Sequence, residues 1–291
     1  MTSTKLILGC GYLGGRVAAA WRSRGDVVHA VTRSEERAAL WRDAGLQPIV
    51  ADVCDAATLR DLPEVDTVLY AVGYDRGSGR TQREVAVDGL RHVLERIHRR
   101  CRRFVFISSS SVYGQSAGEW VDETSPCEPT QPGGECCLAA ERLVRETFLA
   151  TESGTAANIL RLSGIYGPQR LLSRVETLRR GEPLTGRPDA WLNLIHVDDA
   201  VQAVLACEHR GVAGETYLVS DDRPVRRRKY YAHLVQLVGA PPPVFDETQP
   251  AKRGSGGINK RCANRRLREE LRVTLRYPTF VEGLAVSAAS A

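Results

Sequence analysis

Residues 9–14 contain three glycines in the pattern G-x-G-x-x-G, which is the spacing of a dinucleotide-binding turn. The apolar run at residues 6–8 predicts a strand before this turn, and residues 15–24 predict an amphipathic helix after it. The first glycine permits a tight turn, the second lets the backbone approach a pyrophosphate, and the third lets the helix pack on the strand. The N-terminus of the helix adds N–H donors and a positive dipole end. We therefore predict that a dinucleotide is bound by Gly9, Gly11, Tyr12, Leu13 and Gly14, the alternative being a purely structural turn.

The second predicted strand, residues 26–32, is followed directly by an arginine. Folds of this kind that prefer NAD usually place an acidic side chain there, which binds the 2′-hydroxyl of the ribose. This chain instead has Arg33, followed by Ser34 and Arg37. A guanidinium suits a 2′-phosphate, and the two other side chains add donors, so the sequence favours NADP over NAD. The alternative is that Arg33 only begins a solvated helix face.

Two further segments end predicted strands and are expected beside the cofactor. Asp52 and Val53 close the third strand, and Asp52 is placed either to approach the adenine edge or to cap the next turn. The fourth strand ends in Ala71, Val72 and Gly73. Because ligands of such sheets bind at the carboxyl ends of the strands, these residues belong to the predicted cofactor site.

Strand-like and helical runs alternate through the first half of the chain. The predicted strands are residues 5–9, 26–32, 48–51, 67–72 and 103–107, and the predicted helices are 15–24, up to 44, near 59 and 81–100. This βαβ repetition predicts an α/β fold with a doubly wound parallel sheet (Rossmann) and a small C-terminal substrate lobe. We place the NAD(P)-binding core at residues 1–166 and the smaller lobe, interleaved with the last core strands and helices, at 167–291. The later pattern predicts a strand at 191–197, a helix at 198–208 and a strand near 216–219.

The composition fits a globular protein, with 43% hydrophobic and 26% charged residues. No run approaches the roughly 18 to 20 apolar residues that span a bilayer, and no signal-peptide core follows Met1. We therefore expect a cytoplasmic location and no membrane partner. The eight cysteines are expected to be reduced, and because none is arranged in paired CxxC motifs, no metal is predicted.

Two basic runs, residues 99–103 and 226–229, accompany the net charge of +5. The first run ends a predicted helix, where cations complement the dipole, and the second lies at the start of another helix. No aromatic residues interleave with these runs to form a base-stacking platform. The sequence therefore argues against a nucleic-acid partner.

Four segments of the sequence are similar to segments of a known family. They are residues 107–114 (ISSSSVYG), 122–126 (DETSP), 160–168 (LRLSGIYGP) and 193–199 (NLIHVDD). Together with the glycine turn, these segments resemble the extended or atypical branch of the short-chain dehydrogenase/reductase superfamily, the NAD-dependent epimerase/dehydratase-like proteins. The resemblance implies that Ser109 takes the place of the substrate-binding serine and that Tyr166 lies beside the cofactor. It also implies a small-molecule substrate such as a nucleotide-sugar, and a homodimer formed by the helices near residues 81–100 and 135–151.

The departure from the family lies at its catalytic YxxxK pair. The segment at residues 138–141 (LAAE) fixes the register, which puts Gly133 where the tyrosine is expected and Cys137 where the lysine is expected. The family's asparagine segment is also replaced, by residues 86–90. In the family the tyrosine takes or gives the hydroxyl proton, and the lysine ammonium lowers the pKa of the tyrosine. Loss of such acid–base catalysis costs about 10²- to 10⁴-fold in rate.

Other side chains near strand ends are candidates for the proton transfer. Tyr113 is the first choice because it follows Ser109 on the same loop, and the alternative is an aromatic ring packed beside the cofactor. Cys137 is either a reactive thiol near a helix N-terminus or a small buried filler. Further candidates are Tyr74, Tyr166 and His196. For His196, the sequence favours a buried, hydrogen-bonded role at the start of the following helix.

The sequence supports two functions. The first is an NADP-binding oxidoreductase or epimerase/dehydratase-like enzyme with altered acid–base residues, acting on a nucleotide-sugar or another small hydroxyl or carbonyl compound. The second is a catalytically silent NAD(P)-binding sensor or scaffold, because a chain without the Tyr-Lys pair can still keep its cofactor.

Overall fold

The computed structural model describes residues 2–149, 154–248 and 257–289. The strands in chain order are β1 (Thr4–Leu8), β2 (Val27–Thr32), β3 (Gln47–Val50), β4 (Val65–Tyr70), β5 (Cys101–Ser109), β6 (Glu119–Val121), β7 (Ala156–Leu162), β8 (Gly164–Tyr166), β9 (Leu184–Thr185), β10 (Trp191–Leu192), β11 (Leu194–His196), β12 (Thr216–Val219), β13 (Val225–Arg226), β14 (Phe245–Asp246) and β15 (Lys260–Cys262). The helices are α1 (Gly14–Ser23), α2 (Glu35–Asp43), α3 (Gly89–Ile97), α4 (Pro132–Leu149), α5 (Leu172–Arg179), α6 (Val197–Arg210), α7 (Arg227–Val238), α8 (Arg265–Glu269) and α9 (Phe280–Ala288).

Seven of the described strands form the main sheet, in the order β12-β7-β5-β4-β1-β2-β3. Strand β1 pairs in parallel with both neighbours, so that Leu8 stands opposite Val31 on one side and Tyr70 on the other. The pairings of β2 with β3 and of β4 with β5 are also parallel. The carboxyl ends of these strands therefore meet at one edge, where ligands of such sheets bind. The predicted α/β doubly wound fold is confirmed.

The segment predicted as one helix over residues 81–100 begins irregularly. The Glu84 carboxylate accepts a hydrogen bond from the Thr81 N–H at 2.6 Å, and the Thr81 hydroxyl accepts one from the Glu84 N–H at 3.2 Å. Thr81 therefore caps the segment in the manner of a capping box. A π turn over Glu84–Asp88 then leads into α3.

The same segment ends earlier than predicted. Helix α3 stops at Ile97, and the Arg100 carbonyl already accepts a hydrogen bond from the Val65 N–H at the start of β4. The basic run at residues 99–103 thus covers a turn and the beginning of β5. The prediction that this run ends a helix was wrong, because pairing with the sheet replaces the last helical turn.

The predicted strand at residues 191–197 is divided at Asn193 into β10 and β11. The Asn193 side-chain amide donates to the Lys260 carbonyl at 3.0 Å, and its side-chain oxygen accepts from the Cys262 N–H at 2.6 Å. Asn193 therefore binds the backbone of β15 at the point where the strand is interrupted.

The chain divides into two compact units, each assembled from three segments. Unit 1 comprises residues 1–109, 135–161 and 204–217, and unit 2 comprises 110–134, 162–203 and 218–291. Buried residues of the unit 1 core include Leu6, Leu8, Val68, Phe104 and Phe148. Buried residues of the unit 2 core include Leu184, Leu194, Tyr230, Leu234 and Phe280. The boundary at residue 166 stays a prediction of where the cofactor-binding part ends.

Candidate functional site

The glycine turn lies between β1 and α1, and two of its glycines are required by the fold. Gly9 has a φ of +92°, and a Cβ atom there would lie 2.3 Å from the backbone of Ala71 at the end of β4. A Cβ on Gly14 would lie 2.4 Å from the Gly9 carbonyl oxygen. Side chains at either position would separate the helix, the turn and the neighbouring strand.

Gly11 differs from these two glycines, because a Cβ atom there would meet no protein atom within 4 Å. The fold itself therefore does not require a glycine at this position. Open space above a bare backbone is what the close approach of a pyrophosphate needs. The turn thus fits a bound dinucleotide, and the close approach of a pyrophosphate at Gly11 stays a prediction.

The N-terminus of α1 has the electrostatic character of an anion site. Its N-cap residue is Leu13, no side chain caps the helix, and the first turn contains no acidic residue. The Arg16 guanidinium lies 4.2 Å from the centre of the Tyr12 ring and donates to the Tyr12 carbonyl at 2.9 Å. Arg16 therefore adds a positive charge beside the turn. Sequence reasoning missed this residue, although its position two residues after the last glycine was a usable signal.

The basic segment after β2 is placed beside the same turn. Arg33 and Arg37 are exposed, and the Ser34 hydroxyl accepts a hydrogen bond from the Arg37 N–H at 3.1 Å as the N-cap of α2. Burial raises the pKa of the Cys10 thiol to about 11, and the Arg37 guanidinium acts against this rise. The electrostatic interaction places Arg37 close to the glycine turn. Both arginines remain available for a phosphate.

Asp52 forms a local turn at the end of β3. Its carboxylate accepts a hydrogen bond from the Cys54 N–H at 2.9 Å and lies 3.8 Å from the Arg80 guanidinium. The 3₁₀ helix that follows is capped by Asp55. Asp52 itself caps the turn at Val53 and Cys54, as the second alternative predicted, and its approach to the adenine stays a prediction. The Val53 side chain is buried in the unit 1 core.

Beneath the end of β5, a buried ionic network fixes helix α4. The Glu141 carboxylate is fully buried and accepts a hydrogen bond from the Ser108 hydroxyl at 2.6 Å. It also accepts two from the Arg161 guanidinium, at 2.9 and 2.7 Å. The LAAE and LR segments of the sequence thus meet in space. Ser109 directly follows Ser108, which this network holds in place.

Helix α4 carries the two positions at which the catalytic pair is expected. Gly133 and Cys137 are both partly exposed and lie one turn apart. A Cβ on Gly134 would lie 2.3 Å from the Ser111 carbonyl oxygen and 2.7 Å from Pro129. The start of α4 therefore contacts the loop after Ser109 through bare backbone. Neither a glycine nor a cysteine supplies the tyrosine and lysine chemistry of the family.

The aromatic proton candidates are buried. Tyr113 has no exposed surface, and its N–H donates to the Ser110 carbonyl at 3.2 Å. Tyr166 is 3% exposed, and a Cβ on Gly283 of α9 would lie 2.2 Å from its hydroxyl oxygen. Their predicted roles at the substrate and at the cofactor stay predictions. Tyr74, in contrast, is exposed and donates to the Arg80 carbonyl at 3.0 Å.

His196 has the structural role that the sequence predicted. Its ring is fully buried, 4.0 Å from that of Tyr277 and 5.2 Å from that of Tyr166 between ring centres. Its Nδ1 atom accepts a hydrogen bond from the Asp198 N–H at 3.2 Å at the start of α6. The prediction of a buried, hydrogen-bonded histidine is confirmed.

The second basic run begins α7, as predicted, but it does not lack aromatic neighbours. The Arg226 guanidinium lies 3.9 Å from the centre of the Trp191 ring, and the Arg261 guanidinium lies between Trp191 and Trp120 at 5.4 and 4.9 Å. These rings come from distant strands and not from within the run, so the expectation against a nucleic-acid partner is not contradicted and stays a prediction. Both arginines are occupied by these ring contacts.

The sheet order and the glycine turn define a dinucleotide-binding protein with a Rossmann fold. The family is shown by its sequence model: the chain belongs to the NAD dependent epimerase/dehydratase family, whose model matches residues 6–220. The predicted resemblance to the extended short-chain dehydrogenase/reductase branch is thereby confirmed.

Individual relatives agree with this family. Protein YeeZ of Escherichia coli K12 is 28% identical over 281 residues, covering 94% of this chain and 95% of YeeZ. Short-chain dehydrogenase/reductase family 42E member 1 of Homo sapiens is 28% identical over 262 residues, covering 79% of this chain and 66% of that protein. The structure of UDP-glucose 4-epimerase from Thermotoga maritima with UDP-glucose matches with a TM-score of 0.84 at 20% identity, covering 99% of this chain and 97% of the other. At that identity the structural match shows the fold.

Neither a membrane-spanning helix nor a metal-binding cluster occurs in the described part of the chain. No helix in it is both long and apolar enough to cross a membrane. Within the same residues, no group of three or more histidine, cysteine or acidic side chains is placed to hold a metal ion.

Proposed function

We propose that this protein is an NADP-dependent oxidoreductase or epimerase/dehydratase-like enzyme that acts on a nucleotide-sugar or another small hydroxyl or carbonyl compound. Membership of the NAD-dependent family supports use of a nicotinamide cofactor. The finer choice of NADP rests on one observation: exposed Arg33 and Arg37 flank Ser34 at the end of β2, where an NAD-preferring fold has an acidic side chain. A guanidinium pairs with a phosphate through two parallel hydrogen bonds.

In the proposed site, the chain's own residues bind and orient the reactants. Gly11 admits the pyrophosphate, the N-terminus of α1 and Arg16 offset its charge, and Arg33 and Arg37 hold the 2′-phosphate. The bound nicotinamide supplies or accepts hydride. Ser109 binds a substrate oxygen, as the family resemblance implies.

In this proposal, the proton donor is not the one that the family uses. Gly133 and Cys137 do not replace the tyrosine and lysine, so Tyr113 is the proposed proton donor on the same loop as Ser109. Its complete burial means that its hydroxyl must become accessible when a substrate binds. Turnover is therefore expected to be slower than in a family member with the complete pair, by about 10²- to 10⁴-fold.

The experiment is a turnover assay with NADPH over a panel of carbonyl compounds and nucleotide-sugars, followed by absorbance and by product analysis. The wild-type protein is compared with the double variant Gly133→Tyr/Cys137→Lys, with Cys137→Lys alone as the matched control. We expect slow turnover in the wild type and a gain in the double variant only. Absence of turnover in all three proteins, with NADPH still bound, would contradict the proposed enzyme.

Absence of turnover with NADPH still bound would favour a catalytically silent NADP-binding sensor or scaffold. The observation on its side is that α4 carries no ionisable replacement at Gly133 and only a thiol at Cys137. A sensor keeps the cofactor site and does not need the proton donor. The affinity for NADPH would then persist in Tyr113→Phe and Ser109→Ala.

We also propose a homodimer formed through α3 and α4, by analogy with the family, and a cytoplasmic location. The predicted end of the second dimer helix at residue 151 lies outside the described residues, and α4 is described to Leu149. Sedimentation of the purified protein tests the dimer, and a monomer at micromolar concentration would contradict it.

A further inference from the structure

Two lysines of this chain are buried to the same extent. Only 4 of its 40 basic residues are lysines, namely Lys5, Lys229, Lys252 and Lys260. Lys5 is 4% exposed and Lys260 is 5% exposed. Burial of an ammonium group costs several kcal/mol unless an opposite charge offsets it. The role of each buried lysine therefore depends on whether its partners include a negative charge.

Lys5 is fully compensated inside unit 1. Its ammonium group forms an ion pair with the Glu208 carboxylate, which is itself buried. It also donates to the Ser3 hydroxyl at 3.1 Å and the Thr67 hydroxyl at 3.4 Å. The same carboxylate accepts a hydrogen bond from the Trp21 indole at 2.8 Å. Lys5 thus has the arrangement expected of a structural buried cation.

Lys260, in unit 2, lacks such compensation. Its ammonium group donates to the Tyr113 carbonyl at 3.1 Å, and none of the ion pairs among the described residues includes it. Burial lowers the pKa of Lys260, and the Cys262 thiol opposes this only weakly as the second cause. An ammonium group has three N–H donors, so donor capacity remains beyond the Tyr113 carbonyl.

The side chain that interacts electrostatically with Lys260 on its own strand is Cys262. Lys260 and Cys262 point to the same face of β15 because side chains alternate along a strand. Burial raises the pKa of the Cys262 thiol to about 11, and the Ser163 and Ser110 hydroxyls lie against its sulfur. The carboxyl group that acts on this thiol is Asp221, and burial raises the pKa of Asp221 to about 8. At neutral pH this carboxyl therefore holds its proton and offers Lys260 no full negative charge.

We propose that Lys260 binds a negatively charged oxygen of the ligand, a carboxylate or a phosphate, which supplies the charge that the described residues do not place around this ammonium group. The inference rests on the proposed function, in which the loop after Ser109 receives the substrate. Lys260 holds that loop through the Tyr113 carbonyl, four residues after Ser109. The Lys260 ammonium group therefore lies at the loop that is proposed to receive the substrate. A negatively charged oxygen of the substrate would there accept the remaining N–H donors of Lys260.

The presence of only four lysines makes a direct test practicable. Protein labelled with ¹³C at lysine Cε gives one NMR signal per lysine, and the signal of Lys260 is identified by its loss in Lys260→Met and, should that variant fail to fold, in Lys260→Arg. The probes are inorganic phosphate, acetate, UDP-glucose and UDP-glucuronic acid. An opposite charge nearby raises the pKa of a lysine by about 1 to 3. We expect at least one probe to raise the pKa of Lys260 while the Lys5 signal does not move.

The probes also separate the two sources of negative charge. A carboxylate site responds to acetate or only to the uronic acid member of the nucleotide-sugar pair, whereas a phosphate site responds to phosphate and to both nucleotide-sugars. Either response supports the proposal. If none of the four probes moves the Lys260 signal more than the Lys5 signal, the proposal is overturned. The readout needs neither NADPH nor turnover, so its failure is distinguishable from failure of the proposed function.

A stability comparison separates a ligand-binding lysine from a structural one. Removing one partner of a buried ion pair leaves an uncompensated buried charge and is strongly destabilising. Lys5→Met should therefore lower the melting temperature strongly, because it leaves the Glu208 carboxylate without its cation, whereas Lys260→Met leaves only the neutral Tyr113 carbonyl without a donor and should lower it less. A large loss of stability in Lys260→Met, matching that in Lys5→Met, would assign Lys260 a structural role and overturn the proposal.

Discussion

The Arg161 guanidinium donates two hydrogen bonds to the Glu141 carboxylate, at 2.9 and 2.7 Å, and both side chains are almost completely buried. This pair joins β7 to α4, the helix on which the family carries its tyrosine and lysine. The pair thus fixes the helix on which the sequence register predicts Gly133 and Cys137 in place of the catalytic pair.

Removal of one charge from this pair should strongly destabilise the fold. Glu141→Gln leaves the Arg161 guanidinium buried without its anion, which costs about 3 to 5 kcal/mol in the free energy of unfolding. Urea unfolding measures the loss. The matched control is Glu269→Gln, which removes an exposed pair with Arg265 within α8 and should cost about 0.5 kcal/mol or less. Equal losses in the two variants would contradict the assigned role.

The three glycines around the turn predict three different outcomes on substitution by alanine. Gly9→Ala should lower both stability and cofactor affinity, because its φ is +92° and its Cβ would collide with Ala71. Gly11→Ala should leave the melting temperature unchanged and weaken NADPH binding at least tenfold, because its Cβ enters open space meant for the pyrophosphate. Gly15→Ala should change neither, since its Cβ would meet only the Cys10 carbonyl at 3.9 Å.

Thermal melting and NADPH titration of the three variants measure these effects. If Gly11→Ala binds NADPH as the wild type does, the pyrophosphate does not pass over Gly11.

The fold and the glycine turn were predictable because their signals are local. Strand–turn–helix succession and the G-x-G-x-x-G spacing lie within residues 4–23, and the apolar strands that follow need only a short window of sequence. The capping by Thr81 follows a local T-x-x-E pattern that the sequence shows. The irregular start of α3 was not predictable, since the close contact of Gly89 with Val53, where a Cβ would lie 2.9 Å away, depends on the folded neighbours.

The site was predictable only in part, for the same physical reason. Gly9, Gly14 and Arg33 follow from position relative to strands β1 and β2. The buried environment of Lys260 does not, because β15 reaches Tyr113 from 147 residues away in the sequence. The ring contacts of Arg226 and Arg261 likewise join residues that no sequence window contains together.

The Asp221 carboxyl predicts an unusual dependence of stability on pH. Burial raises the pKa of Asp221 from 3.8 to about 8 in the folded protein. The folded state therefore holds a proton that the unfolded state has lost, and the free energy of unfolding falls as the pH rises from about 4 to about 8, by at most about 1.4 kcal/mol per pH unit.

Asp221→Asn should remove this slope, because its side chain does not ionise and can still accept a hydrogen bond from the Arg223 N–H. Urea unfolding at several pH values between 5 and 8 measures the difference between variant and wild type. The exposed neighbour gives the control: Asp222→Asn should keep the wild-type slope. Parallel slopes in wild type and Asp221→Asn would show that this carboxyl is ionised in the folded protein.

If the loop after β5 carries the chemistry, Ser109 and Tyr113 should affect turnover in different ways. Ser109→Ala should weaken substrate binding, seen mainly in KM, whereas Tyr113→Phe should lower kcat by about 10²- to 10⁴-fold with NADPH affinity unchanged. Tyr74→Phe, at an exposed tyrosine on another loop, is the control and should have wild-type rates. An unchanged kcat in Tyr113→Phe would remove Tyr113 as the proton donor.

The central claim is that this chain binds NADP(H) through the glycine turn and the arginines after β2. Calorimetric titration of the wild-type protein with NADPH and with NADH tests it most directly, with Arg33→Ala/Arg37→Ala as the variant and Arg42→Ala, an exposed arginine at the end of α2, as the control. We predict that the wild type and the control bind NADPH at least tenfold more tightly than NADH, and that the double variant loses this preference. Equal or tighter binding of NADH by the wild type would contradict the claim.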